Sequence, residues 1–570
     1  MNKQRSEAIY EYKILRDVGI IMRDGVRLSA NIFLPKAEGE FPVIFQRMPY
    51  GANGLGIGEF YAKRGYAYLI QDCRGRHDSD GEFYPFRDDG KDGYDSLDWI
   101  CSQSWSNGKV GMFGPSYLGG VQWLLAAEKH PALQAIVPNV IPGDFWRNGY
   151  WKCGAFSLAL NSLWLCLEIS GHTSDLNMIP AYDLNEFFRH LPLMTLDEKA
   201  GRPCQIWKDF LKNNRYGEYW KSFGIHHRYE QIEVPTFIMG GWYDHYAGEA
   251  FRSFNGLIEN STSEELKKRR KVIIGPWQHL ISISTQLGDI DFGEESQLDI
   301  NSLALRWFDC LLKDMNTGIF EEPPVTIFVM GVNKWRHENE WPLARTQYVD
   351  YYLHSNGTAG TDENNGILSA KQANKDVPDK YIYDPNDPVP TLGGNHSICW
   401  ADAYDVIAPG PFDQRKVEAR DDVLVYTSSP LKEDLEVTGP IQLTLYAATD
   451  VPDTDWTAKL VDVFPDGRAI NLSEGVIRAK FRESIYEEPK LLEPNKIYEY
   501  NIEMQPTSNV FLKGHKIRVD ITSSNFPLWD RNLNTGHEIG VDAEMRIAHQ
   551  TVYHSQKYPS HITLPVVPGS

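Results

Sequence analysis

Cysteine is sparse and unpatterned: the seven, Cys73, Cys101, Cys153, Cys166, Cys204, Cys310 and Cys399, are scattered, odd in number and form no CxxC pair. Such spacing offers neither a disulfide framework nor a zinc site, and points to reduced thiols in a cytoplasmic protein. The opening MNKQRSEAIYEYKIL has no apolar core of signal-peptide length, which disfavours export by that route. Long hydrophobic runs are missing too. The most apolar stretch, AFSLALNSLWLCLEIS at 155–170, is interrupted by Asn161 and Glu168 and is short for a bilayer, so it reads as a buried or lid helix. Positive charge is in deficit: 57 Lys and Arg against 77 Asp and Glu leave a net charge of −20. That balance argues against nucleic acid or an anionic membrane as partner. The basic cluster KKRRK at 267–271 reads as a solvated helix end before a strand. There is no internal repeat and no low-complexity tract.

What is present is enough chain, 570 residues, for two or three domains with large cores. After an Asp24-Gly25 turn, Val26, Leu28, Ala30 and Ile32 alternate with polar neighbours, the mark of antiparallel strands with one wet face. FPVIFQR (41–47), YAYLIQD (66–72), KVGMFG (109–114) and QAIVPNV (134–140) are instead compact apolar runs separated by helical segments, the rhythm of a mostly parallel α/β sheet. The rhythm stops near Pro142 and resumes at VPTFIMGG (234–241) and KVIIGP (271–276). The Trp-rich interval reads as a helical insertion capping the sheet. Past the helix NSLALRWFDCLLKDMN come short strands punctuated by Pro, Gly and Asp, which suggest a β-sandwich or jelly roll. The expected boundaries are 1–142 and 229–345 for the two parts of the α/β domain, 143–228 for the cap and 346–570 for the all-β domain.

GMFGPSYLGG, Gly111 to Gly120, resembles the G-x-S-x-G turn that exposes a nucleophilic serine, except that Leu118 occupies the last glycine position and Gly119 follows it. Ser116 lies between a predicted buried strand and a predicted helix, the context a nucleophile elbow requires. The segment alone leaves two readings equally open, a nucleophile and a helix N-cap. A serine nucleophile needs a base and a group to orient that base. The strand VPTFIMGG runs into WYDHY and places Asp244 beyond a carboxyl end, where open α/β sheets build their sites; KVIIGP runs into WQHL and places His279 likewise. The order Ser116, Asp244, His279 is that of α/β-hydrolases. His245 adjoins Asp244 and has no strand of its own, so His279 is preferred.

These residues carry a resemblance to the cocaine esterase group of α/β-hydrolases, related to X-Pro dipeptidyl peptidases and α-amino acid ester hydrolases. It rests on GPSYLG, GWYD and GPWQH, and on DPNDPVPTLGG, DTDWTAKLVDVFPDGRAINL, TSNVFLKGH and SSNFPLWDRNLNTG farther on. The resemblance implies an α/β-hydrolase fold with a helical cap and a C-terminal jelly roll, and a triad of Ser116, Asp244 and His279. It further implies an oxyanion hole from the Tyr50 hydroxyl and the Tyr117 backbone N–H, and no cofactor. Trp146, Trp151, Trp164 and Tyr246 become candidate pocket walls. The expected chemistry is ester hydrolysis through an acyl-enzyme on a small-molecule substrate; amide cleavage on the same triad is the alternative. No metal is expected: the carboxylate-rich 77–95 run lacks EF-hand spacing and reads as a solvated loop entering a helix. A homodimer is the one macromolecular association left open.

Overall fold

Ten strands between Tyr12 and Glu338 form one sheet, and the placement of apolar residues sets its layering. In a computed structural model, residues 5–174, 176–357, 359, 366–372 and 377–569 are described. The strands are β1 (Tyr12–Ile21), β2 (Arg27–Pro35), β3 (Phe41–Met48), β4 (Ala67–Asp72), β5 (Ser106–Pro115), β6 (Leu133–Asn139), β7 (Thr236–Gly241), β8 (Arg270–Gly275), β9 (Val325–Val329) and β10 (Lys334–Glu338). Their spatial order is β1-β2-β4-β3-β5-β6-β7-β8-β9-β10. β1 and β2 pair antiparallel around the expected turn, where Gly25 takes φ 88°. From β4 through β9 all neighbours are parallel. β4, β7 and β8 are buried along their whole length, as strands covered by helices on both faces must be.

Helices α1 (Asp89–Cys101), α2 (Tyr117–Ala127), α3 (Ala247–Glu259) and α4 (Ile300–Leu312) cover the sheet. The KKRRK segment departs from expectation. Only its start is a helix end; Arg270 and Lys271 already belong to β8 and are buried. Arg270 donates to the Ile232 carbonyl at 2.5 Å and Lys271 to those of Glu322 and Pro323 at 2.9 Å, so main-chain carbonyls receive these charges in place of water. Burial lowers the Lys271 ammonium to about 8.

Between β6 and β7 lie short helices, including Gln205–Lys212 and Glu218–Phe223. The apolar run at 155–170 is not one α-helix: Leu158–Asn161 is α-helical and Ser162–Glu168 is a π-helical turn, with Ile169 N–H donating to the Trp164 carbonyl at 2.9 Å. Insertions of this kind are frequent at functional sites.

The C-terminal unit is all-β, with strands β11 (Gln347–Ser355), β12 (Gly366–Ser369), β13 (Asp379–Tyr383), β14 (Leu424–Thr427), β15 (Leu435–Thr449), β16 (Asp455–Val463), β17 (Ala469–Arg478), β18 (Tyr498–Phe511), β19 (Lys516–Thr522), β20 (Ala548–Tyr553) and β21 (His561–Val567). Their order is β13-β20-β15-β18-β17-β16-β19-β14-β12-β11-β21, and β21 also pairs with β15, which closes the sheet on itself as a barrel-like body. The segment 384–412, between β13 and β14, reaches back to the first sheet: the Asn395 amide donates to the Trp242 carbonyl at 2.7 Å.

Candidate active site

Ser116 follows the last residue of β5 and takes φ 56° and ψ −124°, a conformation that costs a non-glycine residue about 1–3 kcal/mol. It stands at the N-cap position of α2, yet its side chain makes no capping hydrogen bond. That separates the two readings of the sequence: the hydroxyl is not used to hold the helix. The turn is held by the main chain, with Ser116 N–H on the Asn139 carbonyl at 2.9 Å and Gly119 N–H on the Ser116 carbonyl at 2.8 Å. The late glycine has a steric reason. A Cβ at Gly119 would stand 2.7 Å from Ile141 Cγ2 and 3.2 Å from the Asn139 carbonyl oxygen, so α2 lies against the chain leaving β6.

Asp244 and His279 follow the carboxyl ends of β7 and β8 on two loops laced together: Trp242 N–H donates to the Gly275 carbonyl at 2.8 Å and Tyr243 N–H to that of Trp277 at 3.0 Å. Gly241 permits this approach, since a Cβ there would meet the Trp277 carbonyl oxygen at 2.1 Å. His279 Nδ1 contacts Asp244 Oδ2 at 2.6 Å, while Asp244 Oδ1 accepts from Tyr246 N–H at 2.8 Å. Asp244 is fully buried and His279 nearly so. With Nδ1 engaged, Nε2 is the nitrogen left for chemistry in the cavity. His245, the rival histidine, is buried away from solvent, and burial pushes its ring well below the usual imidazole range.

Ser116 and His279 line one cavity of about 400 Å³ together with Tyr50, Tyr117, Trp164 and Tyr246. The Tyr50 hydroxyl accepts from Trp164 Nε1 at 3.1 Å, which directs its own proton elsewhere. Burial, and secondarily the Glu168 carboxylate, raise this phenol well above its ordinary value, so it stays a neutral donor. Tyr117 opens α2, and its N–H has no acceptor within the helix. Its ring is tied down, with the hydroxyl donating to Asp89 Oδ2 at 2.6 Å and Asp89 facing Arg47 at 3.0 Å. The carboxylates of the 77–95 run are thus partly spent on arginines, Asp92 pairing with Arg74 at 2.6 Å.

Trp146 and Trp151 are elsewhere. Both are fully buried, 5.3 Å apart between ring centroids, and neither lines the cavity. Trp146 Nε1 donates to the Ile485 carbonyl at 2.8 Å, which fixes it against the C-terminal unit. The wall expected of them is supplied by Tyr150, stacked on Trp164 at 5.6 Å, and by Phe86, stacked on Tyr117 at 4.4 Å. Other lining residues also escaped the sequence reading, Glu168, Ser397, Cys399 and Trp400 among them. The lone glutamate in an apolar run was the available signal for the first. Nothing local marks the other three, which approach from the C-terminal unit. Burial pushes the Cys399 thiol up to about 12, so among the cavity's nucleophilic side chains the serine is the better placed. Among the described residues no group of three His, Cys, Asp or Glu is arranged to hold a metal ion, and no helix is long and apolar enough to cross a membrane.

A serine on a strained turn between strand and helix, sharing a cavity with a carboxylate-bound histidine, defines the serine hydrolase class. Residues 24–281 match the family described as X-Pro dipeptidyl-peptidase (S15 family), and residues 317–563 match its C-terminal non-catalytic domain. The chain is 37% identical over 98% of its length to the cocaine esterase of Rhodococcus sp. (strain MB1 Bresler), covering 99% of that protein. Solved structures superpose over nearly the whole chain. An α-amino acid ester hydrolase gives TM-score 0.82 at 26% identity, covering 99% of this chain and 98% of that one. An aminopeptidase from a marine sediment Thaumarchaeota archaeon gives 0.83 at 26%, covering 100% and 98%. The chain belongs to the cocaine esterase and X-Pro dipeptidyl-peptidase (S15) family of serine hydrolases.

Proposed function

We propose that this protein hydrolyses carboxylic esters through an acyl-enzyme on Ser116. The observation that carries the reading is the conjunction at the cavity: a nucleophile whose side chain caps nothing, opposite an imidazole oriented by a buried carboxylate. Ser116 Oγ attacks the ester carbonyl while His279 Nε2 takes its proton. Negative charge develops on the former carbonyl oxygen, where the Tyr50 hydroxyl and the Tyr117 N–H serve as donors already in place. The intermediate collapses, the C–O bond to the alcohol breaks, and the imidazolium returns its proton to the leaving oxygen. Water, deprotonated by His279, then cleaves the acyl-serine by the same steps in reverse roles. Asp244 holds Nδ1–H and stabilises the imidazolium throughout. Supporting the ester over the amide reading is the 37% identity to an esterase along nearly the whole chain.

The strand order and the chain order of the three residues support an α/β-hydrolase architecture for the first sheet, with 143–228 as its cap, and the closed C-terminal sheet supports a jelly roll. The reading is tested with Ser116→Ala on p-nitrophenyl acyl esters. Turnover falls by about 10⁴-fold or more while the melting temperature is kept; an active Ser116→Ala enzyme overturns the assignment. A parallel panel of aryl esters, alkyl esters, α-amino esters and Xaa-Pro anilides ranks the chemistries, and faster anilide than ester turnover would favour amide cleavage.

A further inference from the structure

The proposed mechanism gives no role to the carboxyl group among the residues lining the cavity, Glu168. It closes the π-helical turn, four residues and about one turn after Trp164, and both side chains line the same cavity as Ser116. Its Oε2 accepts from Trp400 Nε1 at 3.2 Å. The groups facing it are Arg76 from the loop after β4, Tyr50 from the end of β3, and Cys399 and Trp400 from the C-terminal unit, with His279 across the cavity. Arg76 is the cation whose charge acts on Glu168, but its donors are committed. They reach the carbonyls of Pro49 at 2.8 Å and Ile169 at 3.0 Å, the carbonyl of Gly171, and Ser174 Oγ at 3.3 Å. Among the described residues no salt bridge reaches Glu168.

A buried carboxyl without a paired cation is an expensive way to accept one indole hydrogen bond, because a glutamine carbonyl would accept it without a charge. The surroundings suit a cation: the aromatic side chains of Tyr150, Trp164 and Trp400 line the same cavity as the carboxylate. We propose that Glu168 is a specificity-determining residue that selects esters by charge, favouring those carrying a cationic nitrogen over neutral isosteres and disfavouring those carrying a carboxylate. This deepens the esterase reading and rests on it. Desolvation raises the Glu168 carboxyl to about 7, against the opposing pull of the Trp400 bond and Arg76. The carboxylate fraction, and with it the preference for cations, therefore grows as pH rises through that value.

The test uses substrates of permanent charge, so that only the enzyme titrates. Benzoylcholine against 3,3-dimethylbutyl benzoate probes the alcohol side; phenyl esters of 4-(trimethylammonio)butyrate against 5,5-dimethylhexanoate probe the acyl side; phenyl hydrogen glutarate supplies the anion. On at least one side the cationic-to-neutral ratio of kcat/KM is expected to fall about tenfold in Glu168→Gln, carried by KM, with the anion gaining. In the wild-type enzyme that ratio rises between about pH 6 and about pH 8, and in Glu168→Gln it is flat. A wild-type ratio that is flat on both sides overturns the proposal whether or not the variant folds, as does an unchanged ratio in Glu168→Gln. Ester turnover that depends on Ser116 but ignores charge removes this proposal alone; absence of Ser116-dependent ester turnover removes the esterase reading with it.

Discussion

The Ser397 hydroxyl, carried by the C-terminal unit, donates at 3.3 Å to Asp244 Oδ2, the same oxygen that contacts His279 Nδ1 at 2.6 Å. Asp244, the proposed acid of the triad, is therefore contacted from both halves of the chain. One hydrogen bond to a charged group contributes about 1.5 kcal/mol, so Ser397→Ala is expected to lower kcat about tenfold with the fold kept. Asp244→Asn, which disturbs the tautomer of the imidazole itself, lowers it about 10⁴-fold. Steady-state rates with melting curves for both variants check the difference; equal losses would show that Ser397 does more than position.

Tyr50→Phe removes one of the two proposed donors to the developing oxyanion and leaves the ring in place. The expected loss is about 10²- to 10³-fold in kcat with KM little changed. A variant that loses only affinity would place Tyr50 in the pocket wall instead.

The tryptophans separate by role. Trp146→Ala or Trp151→Ala empties core volume and should destabilise by about 3–5 kcal/mol, seen as a lower melting temperature, without reordering the rates across an acyl series. Trp164→Ala changes that order, because Trp164 lines the cavity and donates to Tyr50.

Glu168 also has a signature in stability. Its carboxyl keeps its proton up to about 7 in the folded chain and releases it near the ordinary 4.5 when unfolded. The native state thus binds the extra proton between these values, and stability falls as pH rises through that window, by at most about 3 kcal/mol. Glu168→Gln removes the ionisation, so its melting temperature should exceed the wild type's above about pH 7 and converge with it toward about pH 4.5.

Elements and order were legible because a buried parallel strand writes itself as a compact apolar run: KVIIGP at 271–276 became Arg270–Gly275, and VPTFIMGG at 234–241 became Thr236–Gly241. Ser116, Asp244 and His279 could be singled out as candidates because each follows such a run. Trp146 and Trp164 could not be told apart, since an aromatic side chain suits a core and a cavity wall equally well until its neighbours are known. Ser397 and Trp400 were invisible for a related reason. Their partners Asp244 and Glu168 lie 153 and 232 residues away in the chain, and no periodicity spans such a distance.

Because the cavity takes Ser397, Cys399 and Trp400 from the C-terminal unit, and that unit closes only when β21 pairs with β11 and β15, the site is unfinished until β21 is in place. At ordinary synthesis rates the first sheet, serine turn included, leaves the ribosome on the order of tens of seconds before β21 does. Assembly of the all-β unit is consequently the step that completes the cavity, however early the serine turn has formed.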